Sequence, residues 1–104
     1  MPGSSQPTVI EPSVTTETTT RLAPQYRVLI HNDDVTPMDF VVYVLLTIFK
    51  KAVPDAEEIM LAAHNSGVAL VTVLPLEQAE LRVDQAHALA RTRKFPLTLT
   101  YEPE

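Results

Sequence analysis

The sequence predicts an α+β fold: a small βααβαβ domain over residues 26–104, with a three-stranded sheet packed with three helices. Three observations point to it. Short apolar, β-branched runs near 26–31, 68–74 and 97–101 have the length of strands. Longer stretches between them repeat apolar residues at three- and four-residue steps. Proline or glycine punctuates the junctions, at Pro37, Pro54, Gly67, Pro75 and Pro96.

Residues 1–25 are rich in Ser, Thr and Pro, with prolines at 2, 7, 12 and 24, and no helical or strand period survives them. They are expected to form a disordered N-terminal tail. The first strand follows at 26–31 and ends in the polar triplet Asn32, Asp33 and Asp34. Thr36 is then placed as an N-cap, Pro37 as the first helical residue, and Asp39 as the partner that completes a capping box. A helix over about 37–51 buries Met38, Val41, Val42, Leu45, Ile48 and Phe49, with Phe40 and Val44 widening the stripe. Lys50 and Lys51 fall in its last turn, where cations suit the dipole. Pro54 restarts the chain, and a second helix buries Ala56, Ile59, Met60 and Ala63 before Gly67, a residue suited to a left-handed C-cap. The run at 68–74 is expected to be the central strand. Pro75 opens a third helix burying Leu76, Ala79, Val83, Ala86 and Ala90, with His87 outward. The residues at 97–101 alternate as an edge strand.

Composition excludes several classes. Net charge is −5 and the basic residues are scattered, so nucleic acid is not expected as a partner. No apolar run approaches a membrane span and no signal pattern opens the chain, so a cytoplasmic protein is expected, with no membrane partner. Cysteine is absent, which removes disulfides and thiolate metal sites. Nucleophile-elbow, zinc-protease and phosphate-loop motifs are missing, so neither enzyme activity nor a cofactor is expected.

Three groups remain that could carry chemistry. Asn32, Asp33 and Asp34 suit a turn that leads into a helix N-terminus, yet two acids and an amide exceed what such a turn needs. His64 shares a helix face with Met60 and sits in the last turn before Gly67, where an imidazole either bonds a free carbonyl or faces a ligand. Met38 and Met60 fill core gaps or line an adaptable pocket. Asp33, Asp34 and His64 alone make a poor metal set, and none is assigned.

These residues resemble the ClpS adaptors of bacterial and plastid Clp proteases. The resemblance rests on Asn-Asp-Asp-x-Thr-Pro-Met-Asp-Phe-Val at 32–41, on Met60, His64 and Gly67 at the spacing Met-x-x-x-His-x-x-Gly, on Ala79-Glu80, and on Pro96-Leu97 near a Glu-Pro-Glu end. It implies the fold above, a sandwich like the C-terminal domain of the ribosomal stalk protein. It also implies a binding protein for N-degrons, substrates that begin with Leu, Phe, Tyr or Trp, delivered to a ClpA- or ClpC-type unfoldase for degradation by ClpP. By position, Asn32, Asp34 and His64, with Asp33 assisting, match the residues that hold the substrate α-amino group. Thr36, Met38, Val41, Met60, Ala63 and Leu97 match the pocket for the first side chain, with Ala63 standing where a larger aliphatic is usual. Glu77, Glu80 and Arg82 resemble the surface that docks on the unfoldase N-terminal domain. A monomer is expected, in the cytoplasm or, for a plastid lineage, the stroma. A paralogue of the same fold with altered ligand or partner specificity is the alternative.

Overall fold

Strand β1, Gln25–His31, alternates so that Val28 and Ile30 lie wholly in the core while Arg27 faces solvent. The structure, a computed structural model, describes residues 23–104. Of the expected tail, residues 1–22 therefore lie outside the described residues, and Gln25 already belongs to β1. The elements that follow are α1 (Met38–Thr47), α2 (Val53–Ser66), β2 (Val68–Pro75), α3 (Leu76–Thr92) and β3 (Thr98–Pro103). This is the βααβαβ order that the periodicities predict.

The strand order is β2-β1-β3, and both pairings are antiparallel. The expectation that 68–74 is central is therefore corrected: β1 holds the middle and β2 is an edge. An apolar run cannot tell a strand paired on both sides from an edge strand with apolar residues on its open face, and β2 leaves Val68 and Leu70 exposed. The register slips between Val28, opposite Thr72, and Leu29, opposite Leu70, so Val71 has no partner. This bulge carries the Val71 side chain into the core, where it is 3% exposed.

On α3, Ala79, Val83, Ala86 and Ala90 form the buried stripe, and the small alanines let the helix lie close to the sheet. Leu76 was expected to join them but stays exposed, because it is the first helical residue and projects past the end of the core. His87 is also corrected. It is half-buried and faces β3, where its Nε2 accepts a hydrogen bond from the Leu99 N–H at 2.9 Å. The imidazole thus covers an edge amide that β1 does not use.

The start of α1 differs from the expected capping box. Pro37 is the N-cap, in extended conformation, and no side chain caps the helix. Its carbonyl accepts from the Phe40 and Val41 N–H groups. The Thr36 hydroxyl is instead spent as a donor to Asp33. The most buried positions of α1 are Phe40, Val44 and Leu45, so the stripe is centred one residue from where Met38 and Val42 would put it. The helix also ends early, at Thr47. Lys50 takes a left-handed φ of 58° and the Lys51 N–H donates to the Leu45 carbonyl, so both lysines follow the last turn instead of occupying it. At the end of α2, Gly67 has φ 92° and its N–H returns to the Ala63 carbonyl at 2.8 Å, which is the left-handed C-cap that the sequence predicts.

Candidate functional site

Four pieces of chain meet at one end of the sheet: the end of β1, the turn into α1, the last turn of α2 and the residues before β3. A backbone bond joins two of them. The Asn32 N–H donates to the Gly67 carbonyl at 2.9 Å, which holds the turn beside the C-terminal end of α2. His64, three residues before Gly67, is thereby brought next to Asn32.

Between these pieces lies a cavity with about 310 Å³ of empty space. That figure includes space open to solvent, and the enclosed hollow is too small for a large cofactor. Asn32, Asp33, Thr36 and His64 supply its polar lining. Met38, Val41, Met60, Ala63 and Leu97 supply an apolar wall. Ile30 and His31 complete it, and neither was singled out from the sequence. Position at the end of β1 is the one signal that could have found His31, whose Nε2 lies 2.8 Å from the Thr100 hydroxyl.

Asp33 is the organising residue of the turn. Its Oδ1 accepts the N–H groups of Val35 at 2.8 Å and Thr36 at 2.6 Å, and its Oδ2 accepts the Thr36 hydroxyl at 2.8 Å. Partial burial pushes its carboxyl up, but the bonds from the Thr36 N–H, the Thr36 hydroxyl and the Val35 N–H outweigh this and hold it below the ordinary carboxylate value. Asp33 is thus a fixed negative charge with acceptor capacity left on Oδ2. Asp34 is exposed and is not part of the cavity lining. Consecutive residues of a tight turn point to different sides, so the two acids do not share one position.

The arrangement offers hydrogen-bond acceptors at one end and an apolar hollow at the other. It can hold a small cation-bearing group attached to an apolar side chain. Among the described residues no group of three or more His, Cys, Asp or Glu side chains is placed to bind a metal. Asp33, Asp34 and His64 therefore do not converge as ligands. No described helix is long and apolar enough to cross a membrane.

Away from the cavity, Glu77 and Glu80 lie exposed on α3, three residues apart and on one face. Arg82 is half-buried and turned roughly 200° round the helix from Glu80. Its guanidinium reaches the Ile48 carbonyl at the end of α1, at 3.4 Å. Beside Glu80 and Asp84 stands the half-buried Tyr101 of β3, whose hydroxyl is pushed up first by burial and then by these two carboxylates.

The family model described as ATP-dependent Clp protease adaptor protein ClpS matches residues 21–100. Two curated relatives, each named ATP-dependent Clp protease adapter protein ClpS, show the level of similarity. The protein from Desulfotalea psychrophila is 51% identical over 85 residues, covering 82% of this chain and 83% of its own. The one from Desulfatibacillum aliphaticivorans is 47% identical over 79 residues, 76% of each chain. Among solved structures, Agrobacterium tumefaciens ClpS2 bound to L-phenylalaninamide superposes with a TM-score of 0.76 at 37% identity, covering 78% of this chain and 98% of that one.

Proposed function

The chain belongs to the ClpS family of Clp protease adaptors, and from that premise we propose that it is an N-degron adaptor. In this proposal it captures proteins whose first residue is Leu, Phe, Tyr or Trp and hands them to a ClpA- or ClpC-type unfoldase. The observation that carries the proposal is the cavity itself: acceptors on one side, and methionine, valine, alanine and leucine on the other.

An α-ammonium group brings one positive charge and three donors. Asn32 offers an amide oxygen, His64 a ring nitrogen and Asp33 a carboxylate, with Asp34 adding a second negative charge on the same turn. Capture of a free N-terminal amine is a known recognition mode. The first side chain then enters the hollow against Met38, Val41, Met60, Ala63 and Leu97, with Thr36 between the two regions. Burying a Leu or Phe side chain there contributes roughly 1.5–3 kcal/mol. An acetylated or internal residue lacks the charge and leaves the acceptors without partners, at a cost of about 1–3 kcal/mol for each buried group. The similarity to a ClpS2 that binds L-phenylalaninamide, a free amine carrying a benzyl side chain, supports this assignment.

Delivery requires a second surface. Glu77 and Glu80 on the open face of α3 are proposed to dock on the unfoldase N-terminal domain, with Arg82 contributing only from the opposite side of the helix, where its guanidinium reaches the Ile48 carbonyl. The adaptor breaks no bond itself and needs no cofactor.

Fluorescence anisotropy tests the proposal, with labelled peptides that differ only at residue one: Leu, Phe, Tyr, Trp, Ile, Ala and acetylated Phe. Micromolar or tighter binding is expected for some of the first four, with loss on acetylation and in His64→Ala. A folded protein that binds none of them would overturn it. Capture of ClpA- or ClpC-type N-domains, weakened by Glu80→Lys, tests the partner.

A further inference from the structure

The cavity wall contains sulfur, and all of that sulfur is thioether. The chain has no cysteine and three methionines. Met1 lies outside the described residues, and the other two, Met38 and Met60, both line the cavity. The same two side chains also line an open groove on the far side, between α1 and α2, with Val42 and Leu61 as its apolar part and Asp39 and Glu57 as its charged part. Met38 and Met60 are therefore a partition: one surface faces the pocket and the other faces solvent. Met38 is 44% exposed, and Met60 is half-buried.

We propose that Met38, followed by Met60, is an oxidation site whose sulfoxide turns the pocket off. The inference rests on the adaptor function proposed above. A two-electron oxidant such as hydrogen peroxide is attacked by the sulfur lone pair. The S–O bond forms as the O–O bond breaks, the sulfur gives up two electrons to the peroxide, and the second oxygen leaves as water after a proton shift. The product exchanges a flexible apolar side chain for a polar one. On the apolar side of the cavity, Val41, Ala63 and Leu97 offer the S=O dipole no side-chain donor, so a bulky first residue seated there would strip water from the sulfoxide oxygen without replacing it. Exposure orders the two sites, with Met38 oxidised ahead of Met60. The change is reversible: methionine sulfoxide reductases remove the oxygen as water at the expense of thiols. With no cysteine present, no other sulfur in the chain competes for mild oxidant except Met1.

The experiment uses the full chain, hydrogen peroxide, and a labelled peptide with a free N-terminal Phe and no sulfur. Peptide mapping by mass spectrometry reads the sulfoxide at each methionine, anisotropy reads Kd, and circular dichroism reads the fold. Kd should weaken by about tenfold or more, equivalent to about 1.4 kcal/mol. The change should track the Met38 sulfoxide fraction with the circular dichroism spectrum unchanged, and reverse with a sulfoxide reductase. The double variant Met38→Leu/Met60→Leu, whatever its starting affinity, should keep the same Kd before and after treatment. Full oxidation of Met38 and Met60 with no change in Kd would overturn the inference and leave the adaptor function standing. So would an equal loss of affinity in the double variant, or a loss of affinity that coincides with unfolding. A reduced wild-type protein that binds no free N-terminus would overturn both.

Discussion

Removing the Asp33 carboxylate should loosen the turn that carries the polar half of the site. In Asp33→Ala three hydrogen bonds are lost together: those from the Val35 N–H, the Thr36 N–H and the Thr36 hydroxyl. Each bond to a charged group is worth about 1.5–3 kcal/mol when fully effective, but this turn is part-exposed, and measured losses of comparable caps run about 0.5–2 kcal/mol. A total of about 1–2 kcal/mol is the reasonable figure. The described domain is residues 23–104, and a domain of that size shifts its Tm by about 4–8 °C per kcal/mol, so a drop of about 5–15 °C is expected. The pH dependence gives a second handle. The folded carboxyl is held below its ordinary value of 3.8. Its stabilisation is therefore complete at pH values above 3.8 and is lost as pH falls through the lowered folded value. Thermal melts followed by circular dichroism should show the widest gap between wild type and Asp33→Ala near neutrality. The gap should narrow only in strong acid. A variant with an unchanged Tm at pH 7, or a gap that stays constant as the carboxylates protonate, would refute the role given to Asp33.

Four further outcomes follow from the same structure. Gly67→Ala should cost about 1–2 kcal/mol in urea unfolding: a Cβ there meets nothing within 4 Å, so the cost is that of the left-handed φ of 92° alone. His87→Phe should strip the acceptor from the Leu99 N–H, costing about 1 kcal/mol and raising hydrogen exchange at that amide. Ala63→Val should narrow the cavity, lowering the affinity ratio of Trp to Leu as first residue by about tenfold in anisotropy. His64→Ala should weaken binding of a peptide with a free N-terminal Phe by about tenfold in anisotropy, because one acceptor for the ammonium is removed from the cavity lining; an unchanged Kd would contradict this.

The parts of the fold legible in the sequence are those fixed by local chemistry. The helix stop at Gly67, the apolar stripe of α3 and the existence of three strands each follow from residues close together in the chain. What the sequence did not reveal depends on distant partners. Nothing local in 68–74 says that β1, not β2, is paired on both edges. His87 looks outward by helical period until β3 places the Leu99 N–H against it. The polar triplet shows the same limit. By resemblance Asn32 and Asp34 hold the amine and Asp33 only assists, but the hydrogen bonds of the turn make Asp33 the fixed acid, and Asp34 is not part of the cavity lining. Thr36 reads as an N-cap because its type and position are right, yet Asp33 takes its hydroxyl. The cavity brings together residues from 30 to 97, and only Ile30 and His31 among its lining lie outside the expected site residues.

The central claim is that one cavity reads a free α-amine and the side chain attached to it. NMR titration of the full chain with L-phenylalaninamide, beside its N-acetylated form, tests it most directly. The free amine should shift the amide signals of Asn32, Met60, His64 and Leu97 in a saturable way, and the acetylated compound should leave them in place. Equal shifts from both compounds, or shifts confined to residues away from this cavity, would contradict it.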